Sequence, residues 1–413
     1  MSEVAAGQIF SEIKKDYLFY LSRALNKIMV APDMIQIMLT SKCNLRCRIC
    51  DVWKQQFRNE LSTAEVKNLI NQAVGIGIQT VYFTGGEAFL RGDIFELIDY
   101  AYSLGATTSV NTNGSLISEE TARQIVQSKL SNVTFSIDSA KSEVHNFIRG
   151  EKVFEMAMEA MRNINKYKNI FKRYRGGDGN LPLDIGMVSV IMKNNIKELA
   201  SLVILADKMG CCYVAFQPLV YNGNLLENKN FKSEFWPDTE DIAELETGFH
   251  TLTRMKREMR DKMAINFMAE KTAQHFRKER KVNKCFAGFN RIFVNPQGDI
   301  SFVCFPALGN IREASLQDIW ASQQAYSLRE KIKECTVNCT QFCSERTTSE
   351  DINAIHEHLK KSCPGSIDEE RIFLSEIYNM LQDHPGNSEE INKAKNAVQG
   401  IIDERHCGYE KCR

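Results

Sequence analysis

Between residues 34 and 220 short apolar runs alternate with longer stretches whose apolar side chains recur every three to four positions. The short runs are MIQIMLT (34–40), QTVYFTGG, TTSVNTNG, NVTFSIDS, LDIGMVSVIM and YVAFQPLV, rich in β-branched and aromatic residues, and they predict strands. The intervening TAEVKNLINQAVGIG, DIFELIDYAYSLG, SEETARQIVQSKL, KVFEMAMEAMRNINKYK and IKELASLVILADKMG predict helices. Six strand–helix units of this size imply an α/β fold on a parallel sheet, with the chemistry at the carboxyl ends of the strands.

The flanks differ. Residues 1–33 show helical amphipathicity, and 222–280 change to a loop followed by charged helical sequence, read as a linker with a solvated face. In 281–345 the pattern alternates again, and NPQGD between NRIFV and ISFV signals a β-hairpin. Residues 346–413 read as a polar helical tail. The barrel unit is accordingly placed at 34–221.

Charge narrows the partners. Lys+Arg and Asp+Glu both total 52, so nothing points to nucleic acid or an anionic membrane surface. No apolar run is long enough to span a bilayer, and no signal-peptide pattern opens the chain, which predicts a cytoplasmic protein. In a reducing compartment the 13 cysteines turn toward metal binding or catalysis where they cluster. Cys211 and Cys212, inside a strand, read as small buried hydrophobes.

One cluster stands in SKCNLRCRICDVW, where Cys43, Cys47 and Cys50 follow the first strand as C-x3-C-x2-C. Three thiolates fill three corners of a tetrahedral zinc, which prefers a fourth ligand and paired knuckles, or three irons of a cubane cluster with one iron left open. Arg46 and Arg48 beside them lower the cost of thiolate charge. This loop, with Gly85-Gly86-Glu87 after the second strand and SID after the fourth, resembles the radical S-adenosylmethionine (radical SAM) superfamily.

The resemblance implies a partial (β/α)6 TIM-like barrel, with Cys43, Cys47 and Cys50 holding a [4Fe-4S] cluster whose open iron binds S-adenosylmethionine. Gly85 and Gly86 would let backbone approach that ligand, and Glu87 would meet its amino group. Ser136 and Asp138 would lie near its ribose or carboxylate, Arg149 in HNFIRG would pair with the carboxylate, and Ile49 would flank the adenine. Asn113 and Gln217, at later strand ends, are expected in a cofactor, substrate or structural role. His145 reads as a surface or capping histidine.

A second set comprises Cys285 and Cys304 around the hairpin, then Cys335, Cys339 and Cys343 as C-x3-C-x3-C. Its layout resembles the auxiliary-cluster extension called SPASM, or its shorter form, twitch. It departs from the pattern in having five residues between Gly298 and Cys304, and the cysteine run of a two-cluster SPASM region is missing. One auxiliary [4Fe-4S] cluster is expected, on Cys285, Cys304 and Cys343 with Cys339, ahead of Cys335, as the fourth ligand; zinc is the alternative for four thiols.

The activity so implied is reductive cleavage of S-adenosylmethionine to a 5′-deoxyadenosyl radical that abstracts hydrogen from a substrate C–H. Electrons would come from a flavodoxin- or ferredoxin-type donor. Oxidation is favoured over epimerisation, because four of five neighbouring thiols are taken by the cluster. About 33 residues precede the first strand, too few for a fused leader-binding domain, so a small, carbohydrate-like substrate is expected, with a peptide maturase as the alternative. A non-catalytic iron–sulfur electron carrier is the rival from another class; GGE and the polar strand ends argue against it.

Overall fold

The computed structural model describes residues 3–55, 57–174, 181–220, 234–279, 285–302, 305–335, 352–353, 355–357, 367–382 and 389–403. All six predicted strands are present: β1 (Met34–Met38), β2 (Thr80–Thr84), β3 (Thr107–Thr112), β4 (Asn132–Ser136), β5 (Asp184–Ile191) and β6 (Tyr213–Pro218). Each pairs in parallel with the one before it. The connecting helices are α2 (Thr63–Gly75), α3 (Ile94–Ser103), α4 (Glu119–Gln127), α5 (Ser142–Arg149), α6 (Val153–Phe171) and α7 (Leu199–Lys208), after an N-terminal α1 (Glu3–Leu25).

Alternation along the strands separates two faces. Ile35, Ile37, Val81, Phe83, Val110, Val133, Phe135, Ile185, Met187, Val214 and Phe216 are each at most 1% exposed and form one core with the helices. On α2 that core takes Val66, Leu69, Ile70 and Ala73, the one-sided stripe of a helix laid on a sheet. A capping box closes its start, Ser62 accepting from the Glu65 backbone N–H while the Glu65 carboxylate accepts from Ser62. The opposite, concave face carries Gln36, Tyr82, Ser109, Asn132, Thr134 and Tyr213, none of which joins the apolar core.

The sheet runs beyond the six strands. Helix α8 (Thr239–Glu258), strand β7 (Ala264–Asn266) and helix α9 (Ala269–Phe276) occupy the segment read as a helical linker, and β7 pairs in parallel with β6. At the other edge β8 (Arg291–Val294) pairs in parallel with β1, and the antiparallel β9 (Asp299–Ser301) and β10 (Gly309–Asn310) follow, giving ten strands in one sheet among the described residues. The predicted hairpin is thus built onto the barrel. At its turn Asn295 Oδ1 accepts from the Gln297 and Asp299 N–H groups, each at 2.9 Å, and Gly298 takes φ of +91°, where a side chain would be strained and would meet Ile311 and Leu61.

Helices α10 (Leu316–Ala321) and α11 (Gln323–Lys333) come next, then α12 (Ile367–Gln382) and α13 (Glu389–Asp403). The segment read as a polar tail buries a core of its own: Leu374, Leu381, Ala394 and Val398 pack with Ile13, Tyr17 and Leu21 of α1. Among the described residues no helix is long and apolar enough to cross a membrane.

Candidate active site

The carboxyl ends of β1 and β2 are laced together. The Gly86 N–H donates to Thr40 O at 2.7 Å and the Glu87 N–H to Lys42 O at 2.9 Å. A Cβ on Gly86 would lie 2.2 Å from Lys42 O, and one on Gly85 2.6 Å from Thr40 O, so only glycine permits this approach. The Glu60 carboxylate receives the Thr40 hydroxyl and the Ser41 N–H, both at 2.9 Å, and fixes where the cysteine loop begins. Further along, the Arg48 N–H donates to Ile148 O at 2.9 Å, and the Cys47 thiol lies 3.6 Å from Arg149 O. Asn113 donates to the side chain of Asn44 at 3.1 Å, so the loop is also tied to the end of β3. Asn44, Glu60 and Ile148 went unnamed from sequence, because their roles come from neighbours distant in the chain.

Burial pushes the Cys47 thiol up to about 11, with the Arg149 charge pulling the other way; Cys43 is also raised, chiefly by burial. A bare thiolate is therefore costly here, as expected of sulfurs whose charge is to be met by a metal. Among the described residues no three His, Cys, Asp or Glu side chains converge as ligands of a single ion. A cubane does not require that, since each thiolate binds a different iron. Three thiols on one loop, with glycine backbone and an arginine beside them, fit such a cluster.

Glu87 is 1% exposed and its carboxylate receives the Asn113 N–H and the Thr112 hydroxyl, each at 2.9 Å, and the Phe89 N–H at 3.2 Å. Burial raises its pKa, and those donors oppose the shift. It ties the ends of β2 and β3 together as well as facing the cysteine loop.

Asp138 is fully buried. Its Oδ2 accepts from Arg149 Nε at 2.6 Å and its Oδ1 from the Val190 N–H at 3.0 Å. Burial works against the Arg149 charge, and Asp138 with the Cys47 and Cys50 thiols more than offsets it, so the guanidinium stays charged beside the cysteine loop. Asn195 holds the Asp138 carbonyl at 2.6 Å, and Glu198 receives the Ser139 hydroxyl and the Ala140 N–H. His145, expected at the surface, is fully buried: its Nδ1 accepts from the Asp138 N–H at 3.2 Å, Phe154 packs edge-on against the ring, and burial pulls its pKa down to about 4. The reason is that α5 lies with that face against the sheet end, which one histidine in a short helix does not announce.

Ser136 donates weakly to Asn111 Oδ1 at 3.5 Å, Gln217 is half-buried near the end of β6, and Ile49 packs on the edge of the main core. Cys211 is buried as read, and the Cys212 thiol donates to Asp184 at 3.2 Å. In the second set Cys285 and Cys335 are half-buried, with Arg23 of α1 donating to the Cys285 carbonyl at 3.2 Å. Cys304, Cys339 and Cys343 lie outside the described residues.

Residues 37–179 match the Radical SAM superfamily, and residues 285–343 match SPASM, an iron-sulfur cluster-binding domain. Residues 37–179 form a radical SAM domain. A radical SAM domain works with S-adenosylmethionine and a [4Fe-4S] cluster, and a SPASM domain takes auxiliary iron–sulfur clusters, so these are the cofactors of this enzyme. A PqqA peptide cyclase from Xanthomonas campestris pv. campestris is 27% identical over 310 residues, covering 72% of this chain and 75% of that one. An Fe-coproporphyrin III synthase from Methanosarcina barkeri is 31% identical over 188 residues, 45% of this chain and 43% of that one. Streptococcus suis SuiB bound to S-adenosylmethionine shares the fold with a TM-score of 0.58 at 18% identity, covering 75% of this chain and 70% of that one.

Proposed function

We propose that this radical SAM enzyme modifies a side chain of a peptide substrate. The observation that carries the reading is the likeness to a PqqA peptide cyclase across 310 residues, 72% of this chain. The small-molecule expectation has weaker support: the likeness to the coproporphyrin enzyme covers 45% of this chain.

In this reading Cys43, Cys47 and Cys50 hold the first cluster, and Cys285, Cys304 and Cys343 hold the auxiliary one with Cys339, ahead of Cys335, as the fourth ligand. When bound, cluster and S-adenosylmethionine together supply a 5′-deoxyadenosyl radical able to take hydrogen from an unactivated carbon. The chain's own residues orient and screen. Gly85 and Gly86 offer backbone at close range, Glu87 presents a carboxylate to the amino group, and Ile49 flanks the adenine. Arg149, held at Nε by Asp138, keeps its remaining donors for the carboxylate. Ser136, Asn113 and Gln217 line the rim of the strand ends. Asp138 acts through Arg149, since its two oxygens are already engaged. Lys42, Arg46, Arg48 and Lys54 are exposed around the cysteine loop, a basic surface that suits an acidic flavodoxin- or ferredoxin-type donor.

The test is co-expression with each short peptide encoded beside the gene, followed by mass spectrometry. A peptide lighter by two hydrogens, formed with the wild type and not with Cys43→Ala/Cys47→Ala/Cys50→Ala, supports the reading. No mass change in any of them removes it.

A further inference from the structure

The concave face of the sheet is polar from strand to strand. Asn132 Oδ1 on β4 accepts from Ser109 at 2.9 Å, from Thr134 at 2.9 Å and from the Tyr213 hydroxyl at 3.1 Å. The Tyr213 ring lies across Gly186, where any Cβ would fall 2.1 Å from Cζ. These groups satisfy one another.

At the β8–β1 side the arrangement differs. Arg291 stands opposite Met34 in the register, and its Nη1 reaches up to Gln36 Oε1 at 3.4 Å, one layer along the inner face. Tyr82, which pairs with Gln36 in register, lies close enough to Arg291 to feel its charge. Among the described residues no carboxylate comes within ion-pair distance of Arg291. The acid on the far side, Asp184 of β5, is five strands away in the sheet order and engaged by Cys212. A half-buried guanidinium with one long hydrogen bond, on the inside of a barrel, is costly unless something else meets it.

We propose that Arg291, lent to the barrel by the SPASM hairpin, binds the carboxylate of an acidic side chain of the substrate, with the Gln36 amide and the Tyr82 hydroxyl as neutral partners. The proposal deepens the peptide reading and rests on it. The planar fork of arginine matches a carboxylate two-pronged. A phosphate dianion calls for more cations than the one supplied here. Gln36 on β1 and Thr40, two residues past its end, are four residues apart, about 13 Å at strand rise, so the bound carboxylate would sit well below the glycine pair and leave the layers between for the reacting carbon.

The test uses cluster-loaded, oxidised protein and two probes, N-acetyl-glutamate N-methylamide and N-acetyl-glutamine N-methylamide, titrated by saturation-transfer NMR. Wild type is expected to bind the glutamate probe at least about tenfold tighter, the ratio a charge-assisted hydrogen bond gives. Arg291→Gln should bring the two constants together, Arg291→Lys should keep part of the ratio, and Gln36→Leu should lower it. Unchanged S-adenosylmethionine affinity in each variant checks that the fold persists. Equal constants in wild type, or a preference that survives Arg291→Gln, overturns the assignment. A preference that holds while every co-expressed peptide stays unmodified keeps the carboxylate site and removes the peptide reading instead.

Discussion

Gly86→Ala is the sharpest small perturbation of the site. Its new methyl would lie 2.2 Å from Lys42 O and 2.6 Å from Ser41 O, against the backbone of the cysteine loop. Relief requires the two strand-end loops to part by about 1 Å, beyond what packed interiors absorb without loss. That movement stretches the Gly86 N–H to Thr40 O bond of 2.7 Å and the Glu87 N–H to Lys42 O bond of 2.9 Å, each worth about 1 kcal/mol net. With the residual clash the cost is about 2–4 kcal/mol. For 413 residues the unfolding entropy is of order 0.9 kcal/mol/K, so the apoprotein should melt about 2–5 °C lower. Gly75→Ala is the control: at the end of α2 an added Cβ meets nothing within 4 Å, and helix propensity makes that change neutral or stabilising by up to about 1 kcal/mol. Thermal unfolding followed by circular dichroism, with S-adenosylmethionine affinity of the loaded protein, reads both. If Gly86→Ala melts with wild type and binds the cofactor equally well, the close approach between the loops is not what holds the site.

Two further outcomes follow from the same geometry. Asp138→Asn leaves the Arg149 guanidinium buried without its counter-charge and should cost about 3–5 kcal/mol in urea unfolding while weakening S-adenosylmethionine binding; a loss below about 1 kcal/mol would mean that another group carries the charge. The Glu65 carboxyl is held down to about 2 by hydrogen bonds from Arg312 and Ser62. Its folded value is depressed, so its contribution is complete above the ordinary carboxylate value near 4.5 and is lost as pH falls toward 2. Because the pair is about a third exposed, Glu65→Gln should remove less than about 1 kcal/mol at pH 7 and a smaller amount at pH 3; an equal loss at both would place the effect in helix capping instead.

The strand–helix units were legible because each buries one face against helices, and that leaves a period in the chain. NPQGD was legible because a tight turn restricts residue choice. β7 was not, since three residues, Ala264 to Asn266, carry too little pattern inside a charged segment. That β8 pairs with β1 was hidden as well, because parallel pairing across more than 250 residues depends on how the sheet closes and leaves no local mark. Asp138 and Arg149 were both named from sequence, each as a cofactor contact; the structure joins them to each other, 11 positions apart, with His145 and Asn195 behind them. Arg291 escaped notice because RIFV reads only as half of a hairpin. The lean to a small substrate rested on the short N-terminal segment, which bears on how a peptide is delivered and says little about what the barrel accepts.

The most direct measurement is product analysis of the reduced, anaerobically reconstituted enzyme with S-adenosylmethionine. Wild type should yield 5′-deoxyadenosine and methionine, while Cys43→Ala/Cys47→Ala/Cys50→Ala should yield neither and still retain iron on the SPASM thiols. Absence of 5′-deoxyadenosine from wild type, or its continued formation by the triple variant, would contradict the assignment of the cysteine loop after β1 as the site of S-adenosylmethionine cleavage.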